Sequence, residues 1–286
     1  WAHRMFHMEP NSEYIDVLER TIYNGIISGL NLNGDRFFYS NRLAALPKEI
    51  EANPHGFSLQ RQPWFDVACC PTNIVRFLPS IPGFIYSKNN AGVSINLYIQ
   101  SSVVINFKDA EVKINQKNTQ PWDDKCTIEI DSQYEKDIKL YLRIPHWSKR
   151  IKVKINNKLQ KVSILKGYAS VSIPANKKSK LDVDLGMDIN IIKSNPDVRQ
   201  NFGKLAVQRG PIVYCMEEHD NGPDLHKILI NKKSLEAKNG LLNNYKYTFI
   251  SGIGKKAEKS DWNKKLYLKD TVEKYKRKKI KLIPYF

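Results

Sequence analysis

The sequence predicts a mixed fold, in which a helical segment is followed by two antiparallel β-sandwich domains. Apolar residues recur about every four positions before residue 87 and alternate with polar residues after it, and many short strands separated by turns follow. A chain of 286 residues is long enough for two or three compact domains. We therefore predict domains at residues 1–87, 88–188 and 189–286.

The first helix is expected from about Asn11 to Gly29, with Asn11 or Ser12 as its N-cap. Its apolar face repeats at intervals of four residues and contains Tyr14, Leu18, Ile22 and Ile26. The glutamates near this helix, Glu9, Glu13 and Glu19, are expected to face solvent.

Residues 30–40 predict a short hairpin, because Asn33 and Gly34 lie between apolar runs and Asn-Gly is a strong turn signal. Tyr39 would lie on the return strand. A packed strand aromatic is the ordinary role for such a tyrosine. The loop that follows contains His55, Arg61 and Trp64, any of which could contact a substrate.

Adjacent cysteines at positions 69 and 70 are the most unusual feature of the sequence. Cys69 and Cys70 cannot form an ordinary disulfide with each other, whereas neighbouring thiolates can bind one soft metal ion. Pro71 and the helical spacing of the apolar residues after it place the pair where a loop enters a helix. Cysteine is also among the most buried residue types, so an inert core pair is the alternative.

Residues beyond Tyr86 alternate between apolar and polar types, as half-buried strands do. The predicted strands are residues 93–99, 103–107, 112–115, 126–131, 138–144, 151–155, 169–173 and 181–185. Cys126 and Cys215 lie in such strand contexts and are predicted to be structural. The acidic cluster Glu217, Glu218 and Asp220 is interpreted as a solvated strand end, with a general acid as the alternative.

The formal charge of +17 would suit a polyanionic partner. However, no nucleic-acid-binding motif accompanies the charge, and lysines mostly alternate with apolar residues, as in residues 151–155. We therefore predict no nucleic-acid partner. No apolar run reaches the length of a membrane span, so no membrane partner is expected either.

Residues 69–76, Cys-Cys-Pro-Thr-Asn-Ile-Val-Arg, resemble the Cys-Cys-Pro-Pro-Asn-x-x-Arg run of glycoside hydrolase family 127, the bacterial β-L-arabinofuranosidases. Thr72 replaces the second proline of that run. Further similar stretches are Phe-Tyr-Ser-Asn at 38–41, Leu-Arg-Ile-Pro-His-Trp at 142–147, Arg-Gly-Pro-Ile-Val-Tyr at 209–214 and Lys-Leu-Ile-Pro-Tyr-Phe at 281–286. Trp147 within this set is interpreted as structural.

The resemblance implies that residues 1–87 are the end of an (α/α) helical barrel that carries the catalytic pocket. It also implies an exo-acting glycosidase with a zinc ion held by three cysteines and one glutamate. By position, Cys69 is the nucleophile, Cys69 and Cys70 are zinc ligands, and Tyr39 contacts the sugar. The nucleophile would form a glycosyl thioether that water hydrolyses with retention, whereas most glycosidases use two carboxylates.

The family's remaining zinc ligands belong to a Glu-x-Cys motif, which this sequence does not contain, and no glutamate here matches the family's acid/base. The resemblance covers about the last half of a family member. We therefore expect weak zinc binding and little turnover from the chain alone. The expected partner is a carbohydrate, and a homodimer is left open. The sequence does not assign the compartment, for which bacterial cytoplasm and periplasm are both open.

Two other functions also fit the sequence. The β-sandwiches could form a non-catalytic carbohydrate-binding module, with Trp122, Trp147 or exposed tyrosines as contacts. Alternatively, the thiol pair could be a redox or metal-sensing site, which predicts reversible oxidation of Cys69 without dependence on sugar.

Overall fold

The structure is a computed structural model, which describes residues 1–40, 43–46, 58, 60–90, 92–107, 110–258, 265–267, 269 and 273–285. The chain divides into two compact units, Trp1–Asp188 and Ile189–Tyr285. Strands make up most of the regular secondary structure of the described chain, and only a few short helices accompany them. This confirms a mixed fold with a large β part.

Short helices make up the start of the first unit. They are α1 (Ala2–Met8), α2 (Ser12–Thr21), α3 (Cys69–Phe77) and α4 (Pro82–Ile85). A π-helical segment, Ile22–Ile26, and a 3₁₀ turn, Ile27–Gly29, continue α2, and a second 3₁₀ turn, Leu78–Ser80, lies between α3 and α4.

The helix predicted from about Asn11 to Gly29 is found at nearly that position, but it is not one regular helix. Asn11 is its N-cap, since the Asn11 side chain accepts a hydrogen bond of 3.1 Å from the Glu13 amide. The later turns widen where Asn24 and Gly25, both weak helix formers, occur. The Ser28 hydroxyl donates to the Asn24 carbonyl there, at 2.8 Å, which supplies a side-chain donor where the helical pattern changes.

The predicted hairpin is reduced to one bridge, Leu30 with Phe37. Gly34 has φ = 74°, as the Asn-Gly turn requires. The other edge of Phe37 exchanges two backbone hydrogen bonds with Gln62, at 2.9 and 3.0 Å. Because that pairing replaces a longer return strand, Tyr39 lies in a bend, and the prediction that it lies on a strand was wrong.

Two sheets form the rest of the first unit. One has the order β1-β2-β6-β10-β9, and the other β3-β4-β5-β11-β7-β8. The strands are β1 (Tyr86–Asn89), β2 (Gly92–Ile95), β3 (Ser101–Phe107), β4 (Ala110–Asn118), β5 (Lys125–Ser132), β6 (Ile138–Arg143), β7 (Lys152–Ile155), β8 (Lys158–Leu159), β9 (Ser163–Leu165), β10 (Tyr168–Ile173) and β11 (Lys178–Asp184).

The two sheets share one apolar core, as the alternating pattern predicted. Side chains from both sheets are fully or almost fully buried in it, among them Ile95, Leu140, Leu142, Ile114, Ile128 and Leu181. The sheets are not purely antiparallel, however, because β2 pairs with β6 in parallel. The chain between these strands passes through β3, β4 and β5 of the other sheet, so β6 returns in the same direction as β2.

A second apolar core packs the helices onto the five-stranded sheet. It joins Phe6, Ile15 and Leu18 of the helices to Tyr168 of β10 and to Leu97, all of them buried. This packing fixes α1 and α2 against the sheet, and it includes Ile85 at the end of α4.

The second unit is built on one curled sheet of seven strands. The strands are β12 (Ile189–Ile192), β13 (Ala206–Arg209), β14 (Ile212–Cys215), β15 (Ile228–Ile230), β16 (Glu236–Leu242), β17 (Tyr245–Ala257) and β18 (Tyr275–Pro284), with a helical turn α5 (Glu218–Asn221) and 3₁₀ turns at Arg199–Asn201, Leu225–Lys227 and Lys232–Ser234.

A second sandwich of separate sheets was predicted for this unit, and the hydrogen bonding differs from that expectation. β18 pairs with β17 over most of its length and with β14 at its end, so it joins both halves into one sheet.

No helix among the described residues is both long and apolar enough to span a bilayer.

Candidate functional site

Cys69 begins α3, directly after the N-cap residue Ala68. Its thiol is exposed, and Cys70 beside it is half-buried. The Thr72 hydroxyl donates to the carbonyl of Ala68, at 2.7 Å, which fixes the first turn of the helix. The amides of a first helical turn lack intrahelical partners and carry partial positive charge, so this position stabilises a thiolate.

The Tyr39 hydroxyl lies 3.2 Å from the Cys69 sulfur, within hydrogen-bonding distance. The Tyr39 ring packs against Phe65, with centroids 5.5 Å apart, and Phe65 packs equally closely against Phe37. These ring contacts position the hydroxyl beside the thiol. The bridge between Phe37 and Gln62 joins the hairpin to the loop that carries Phe65.

The hydrogen bond from Tyr39 is the main cause that lowers the pKa of Cys69, and the Cys70 thiol and backbone amides add to the effect. In the same contact the pKa of Tyr39 is raised, chiefly by its hydrogen bond with Cys69. The two directions agree, because a phenol that donates to a thiolate keeps its proton while the thiol loses one.

Cys70 behaves in the opposite way, since burial is the first cause that raises its pKa and the neighbouring Cys69 sulfur adds to it. The two thiols therefore do not ionise together. The pKa of Cys69 is lowered by its hydrogen-bond donor, and the pKa of Cys70 is raised, so Cys69 loses its proton at a lower pH than Cys70.

The sulfur atoms of Cys69 and Cys70 lie 3.8 Å apart. Two sulfurs of a tetrahedral zinc site with bonds of about 2.3 Å are separated by about 3.8 Å. The donor chemistry and spacing of the pair therefore fit two corners of such a site. Within the described part of the chain no group of three or more His, Cys, Asp or Glu is placed to hold a metal ion.

Other residues of the predicted loop have different positions. Arg61 donates to the Ser28 carbonyl, at 2.8 Å, and its guanidinium lies 4.6 Å from the centre of the Phe38 ring. It therefore packs the loop onto the hairpin. Trp64 is exposed, and His55 lies outside the described residues.

Glu19 was expected to face solvent, and this was wrong. It is 3% exposed and forms an ion pair with Arg143 of β6, whose side chain is fully buried. Asp16 is the second carboxylate on Arg143, at 2.5 Å. The Trp147 indole donates to Glu19 at 2.9 Å, which agrees with a structural role for Trp147. Because Trp147 is buried, it is not an exposed sugar contact of a binding module.

The remaining thiols and the acidic cluster have structural surroundings. Burial raises the pKa of Cys126 to about 11 and that of Cys215 to about 12, so both stay protonated. In the acidic cluster, Glu218 accepts from the Asp224 amide and Asp220 pairs with Lys281, at 2.9 Å in each case.

The structure thus brings Tyr39, Cys69 and Cys70 together from positions 30 residues apart in the chain. Phe65 and Gln62, which support Tyr39, were missed by sequence reasoning. Their role depends on a pairing of distant loop segments, for which neither periodicity nor spacing gives a signal.

Comparison with known families matches almost the whole chain to one family. Residues 1–83 match the model of the beta-L-arabinofuranosidase GH127 catalytic domain. Residues 92–187 match the GH127 middle domain and residues 189–286 the glycoside hydrolase family 127 C-terminal domain.

Individual proteins are similar as well. A curated non-reducing end beta-L-arabinofuranosidase of Bifidobacterium longum subsp. longum is 32% identical over 231 residues, which is 79% of this chain and 35% of the relative. A solved GH127 beta-L-arabinofuranosidase of Geobacillus stearothermophilus T6 is 35% identical with a TM-score of 0.93, over 100% of this chain and 45% of the other.

A further solved structure, described as a GH127 beta-arabinofuranosidase, is 31% identical with a TM-score of 0.84, over 99% of this chain and 45% of the other. The chain therefore spans about a third of the length of the curated relative and less than half of the solved ones.

Proposed function

We propose that this chain, which belongs to glycoside hydrolase family 127, carries the nucleophile of a retaining, exo-acting glycosidase for β-L-arabinofuranosides. The observation that carries the proposal is the 3.2 Å contact between the Tyr39 hydroxyl and the exposed Cys69 sulfur. A buried thiol would be inert, whereas this one is accessible, stabilised as a thiolate and paired with a second thiol.

The proposal also assigns each part of the chain to a domain of the enzyme. We take residues 1–87 as the end of an (α/α) barrel, residues 88–188 as a β-sandwich and residues 189–286 as the unit built on one curled sheet. Support comes from the contact between α1 and α2, which pack as neighbours, and from the match of residues 1–83 to a catalytic-domain model.

In the first step the Cys69 thiolate attacks the anomeric carbon of the arabinofuranoside. A carbon–sulfur bond forms while the bond between that carbon and the leaving oxygen breaks with its electron pair. The leaving oxygen takes a proton from a general acid, which we assign to residues additional to this chain. Water then attacks the anomeric carbon from the face opposite the sulfur, which the leaving oxygen occupied before. It gives a proton to the same acid/base while the carbon–sulfur bond breaks and the thiolate leaves with the electron pair, so two inversions give net retention.

Tyr39 has two tasks in this scheme. Before substrate binds, its hydroxyl donates to the Cys69 sulfur and helps to hold the thiolate. Because the same hydroxyl lies 3.2 Å from the attacking atom, it is also within reach of a sugar that is bonded to that atom. Tyr39 is therefore the substrate-contacting residue of this half of the site.

Cys69 and Cys70 would hold zinc at the separation of 3.8 Å between their sulfurs. A bound zinc ion keeps coordinated sulfur deprotonated near neutral pH. The family's remaining ligands lie in a Glu-x-Cys motif that this sequence does not contain, so we expect the chain alone to bind zinc weakly and to turn over slowly.

The test uses an activated aryl β-L-arabinofuranoside, whose phenolate leaves without help from a general acid. We expect the chain to release close to one equivalent of phenol in a burst and then to slow. Cys69→Ser should abolish the burst, and Cys215→Ser should leave it unchanged as the thiol control. Equal bursts from the parent and Cys69→Ser would contradict the proposal, and rapid steady turnover would contradict the expectation that part of the site is supplied elsewhere.

A further inference from the structure

The second unit holds most of the chain's excess positive charge. Between residues 232 and 286 there are 16 Lys and Arg against 5 Asp and Glu, which is 11 of the 17 excess charges. The pairing of β17 with β18 determines where many of them lie, because it runs in register from Ile250 opposite Leu282 to Ala257 opposite Tyr275.

These two strands have one apolar face and one basic face. Ile250, Ile280 and Leu282 are buried and mark the inner face. Directly paired residues share a face, and successive residues alternate between faces. Lys255 and Arg277 are partners in the register, and Lys279 is two positions from Arg277, so all three lie on the outer side. We call Lys255, Arg277 and Lys279 the basic face.

No acidic side chain among the described residues neutralises the basic face. Lys255 lies directly opposite Arg277, and like charges in a cross-strand pair repel each other. Neighbouring lysines do have acidic partners, since Lys276 pairs with Glu258 at 2.6 Å and Lys281 with Asp220 at 2.9 Å. Across the described part of the chain, none of the three basic-face residues forms an ion pair.

The outer side of the first unit's six-stranded sheet gives a useful contrast, because it is also rich in lysine. There Lys117 pairs with Glu129 at 2.7 Å and Lys178 with Asp131 at 3.5 Å. These two strand lysines have acidic partners, whereas the residues of the basic face have none among the described residues, which favours the basic face as a place for an external anion.

Aromatic rings lie on the same side of the curled sheet. Tyr247 and Phe249 precede Lys255 at even intervals along β17 and therefore share its face, with ring centroids 6.1 Å apart. The Lys281 amino group lies 5.5 Å from the centre of the Phe249 ring. Rings and cations together can contact both the apolar faces and the carboxylates of sugar rings.

The spacing of the charges favours a sparsely charged polymer. Neighbouring strands are about 4.8 Å apart and alternate residues along a strand about 7 Å apart, so the cations are spaced by about the size of one sugar ring. Duplex DNA carries a charge every ~1.7 Å, which is much denser. A polymer with one carboxylate per ring suits the basic face better.

We propose that the basic face binds an anionic polysaccharide of uronic acid residues, with the carboxylates of the polymer at Lys255, Arg277 and Lys279. The choice of polymer class rests on the proposed glycosidase function, while the binding itself does not require Cys69. The bound carboxylates would relieve the repulsion between Lys255 and Arg277.

The experiment measures binding of the full chain to immobilised polygalacturonate in 50 mM and 200 mM NaCl. The test variant is Lys255→Gln/Arg277→Gln/Lys279→Gln. The control is Lys152→Gln/Lys154→Gln/Lys180→Gln, which removes the same charge from a strand surface where Lys154 faces Asp182 and Lys152 faces Asp184. We expect about tenfold weaker binding for the test variant, less than about twofold for the control, and a shallower salt dependence for the test variant.

Neutral arabinan and duplex DNA are the comparison ligands, at equal mass concentration. We expect polygalacturonate to bind more tightly than either one. Equal losses in both triple variants, or equal affinity for arabinan, would overturn the proposal, and tighter binding of DNA would assign the basic face to nucleic acid instead. Each result stands apart from the burst assay, so failure of the glycosidase proposal would be recognised separately.

Discussion

The Cys69 sulfur has two neighbours that differ in what they contribute. The Tyr39 hydroxyl, at 3.2 Å, donates a hydrogen bond, and the Cys70 sulfur, at 3.8 Å, supplies a second soft donor. Because the pKa of Cys69 is lowered and that of Cys70 is raised, two identical residues differ in how readily they lose a proton. Position at the helix start and one phenol are enough to separate them.

Tyr39→Phe tests this assignment at the residue scale. The variant removes the main cause that lowers the pKa of Cys69, so the pH at which the thiol becomes reactive should rise. At neutral pH we expect severalfold slower alkylation of Cys69 by iodoacetamide in chelator-treated protein. The measurement is the rate against pH, with the modified peptide identified by mass spectrometry.

Tyr245→Phe is the matched control, because Tyr245 is an exposed tyrosine of β17. Its pH profile should overlay that of the parent. If Tyr39→Phe also left the profile in place, the hydroxyl would have no part in holding the thiolate.

Sequence reasoning identified these residues only in part. The vicinal thiols and Tyr39 were found through local motifs, which need no knowledge of distant contacts. Glu19 was assigned to solvent, because nothing in a helix pattern shows that Arg143, more than 100 residues later, will cover it. Contacts between distant segments depend on packing, which periodicity does not encode.

At the scale of elements, α2 is joined to the five-stranded sheet by a buried ion pair. The Arg143 side chain is fully buried and those of Glu19 and Asp16 nearly so, at 4% and 12% exposed. Such a cluster holds α2 at one position on β6, since the charges cannot be left without partners in an apolar core.

Arg143→Met is therefore expected to be strongly destabilising. It leaves Glu19 buried without its cation, and breaking a buried ion pair from one side costs about 3–5 kcal/mol. The measurement is urea unfolding followed by tryptophan fluorescence, in which the midpoint should fall.

The double variant Glu19→Leu/Arg143→Met removes both charges and should lose less stability than Arg143→Met alone. The reason is that two apolar side chains of similar volume can replace a buried pair at little cost. Losses that simply add in the double variant would show that the ion pair does not couple α2 to β6.

Lys255→Gln is the corresponding prediction for the second unit. It removes one charge of the repelling pair with Arg277, so the free energy of unfolding should rise by about 0.2–1 kcal/mol at low salt. Lys154→Gln, which loses an acidic partner across the strand, should give no increase. A fall in the melting temperature of Lys255→Gln in low-salt buffer would argue against unrelieved repulsion at this position.

Strands were easier to predict than the sheets they form. Alternation placed β3, β5 and β10 within a few residues, because each signal is local. The parallel pairing of β2 with β6 was missed, and so was the double role of β18. The pairing partner of a strand depends on the path of the chain between strands.

At the scale of the whole molecule, the apolar cores and the thiol pair lie in different places. The apolar cores of the first unit are built from the sandwich strands and from α1, α2 and Ile85, and neither contains Cys69 or Cys70. A metal ion at the thiol pair would thus be attached to a fold that is held together elsewhere.

Chelation tests this separation. We expect EDTA to change the melting temperature of the chain by less than about 1 °C. The reason is that removal of a ligand lowers the stability of the folded state only if that state had bound it. Added zinc should bind weakly, and Cys70→Ser should reduce that binding, as measured by competition with a chromogenic chelator. A large fall in melting temperature on chelation would instead indicate a structural metal.

The helical segment, the long β part and the thiol site were all predictable in outline from motifs and periodicity. The proposed domain boundaries at residues 87 and 188 stay a prediction. The curled sheet of the second unit was not foreseen, because its strands pair across more than 60 intervening residues, as in Cys215 with Ile283.

Peptide mapping after brief exposure to the activated aryl β-L-arabinofuranoside tests the central claim most directly. The account predicts one pentosyl group bonded to the sulfur of Cys69, at close to one per chain. The group should be absent from Cys69→Ser and slower to form in Tyr39→Phe. Sugar on another residue, or an unmodified Cys69 while phenol is released, would contradict the claim that this sulfur attacks the sugar.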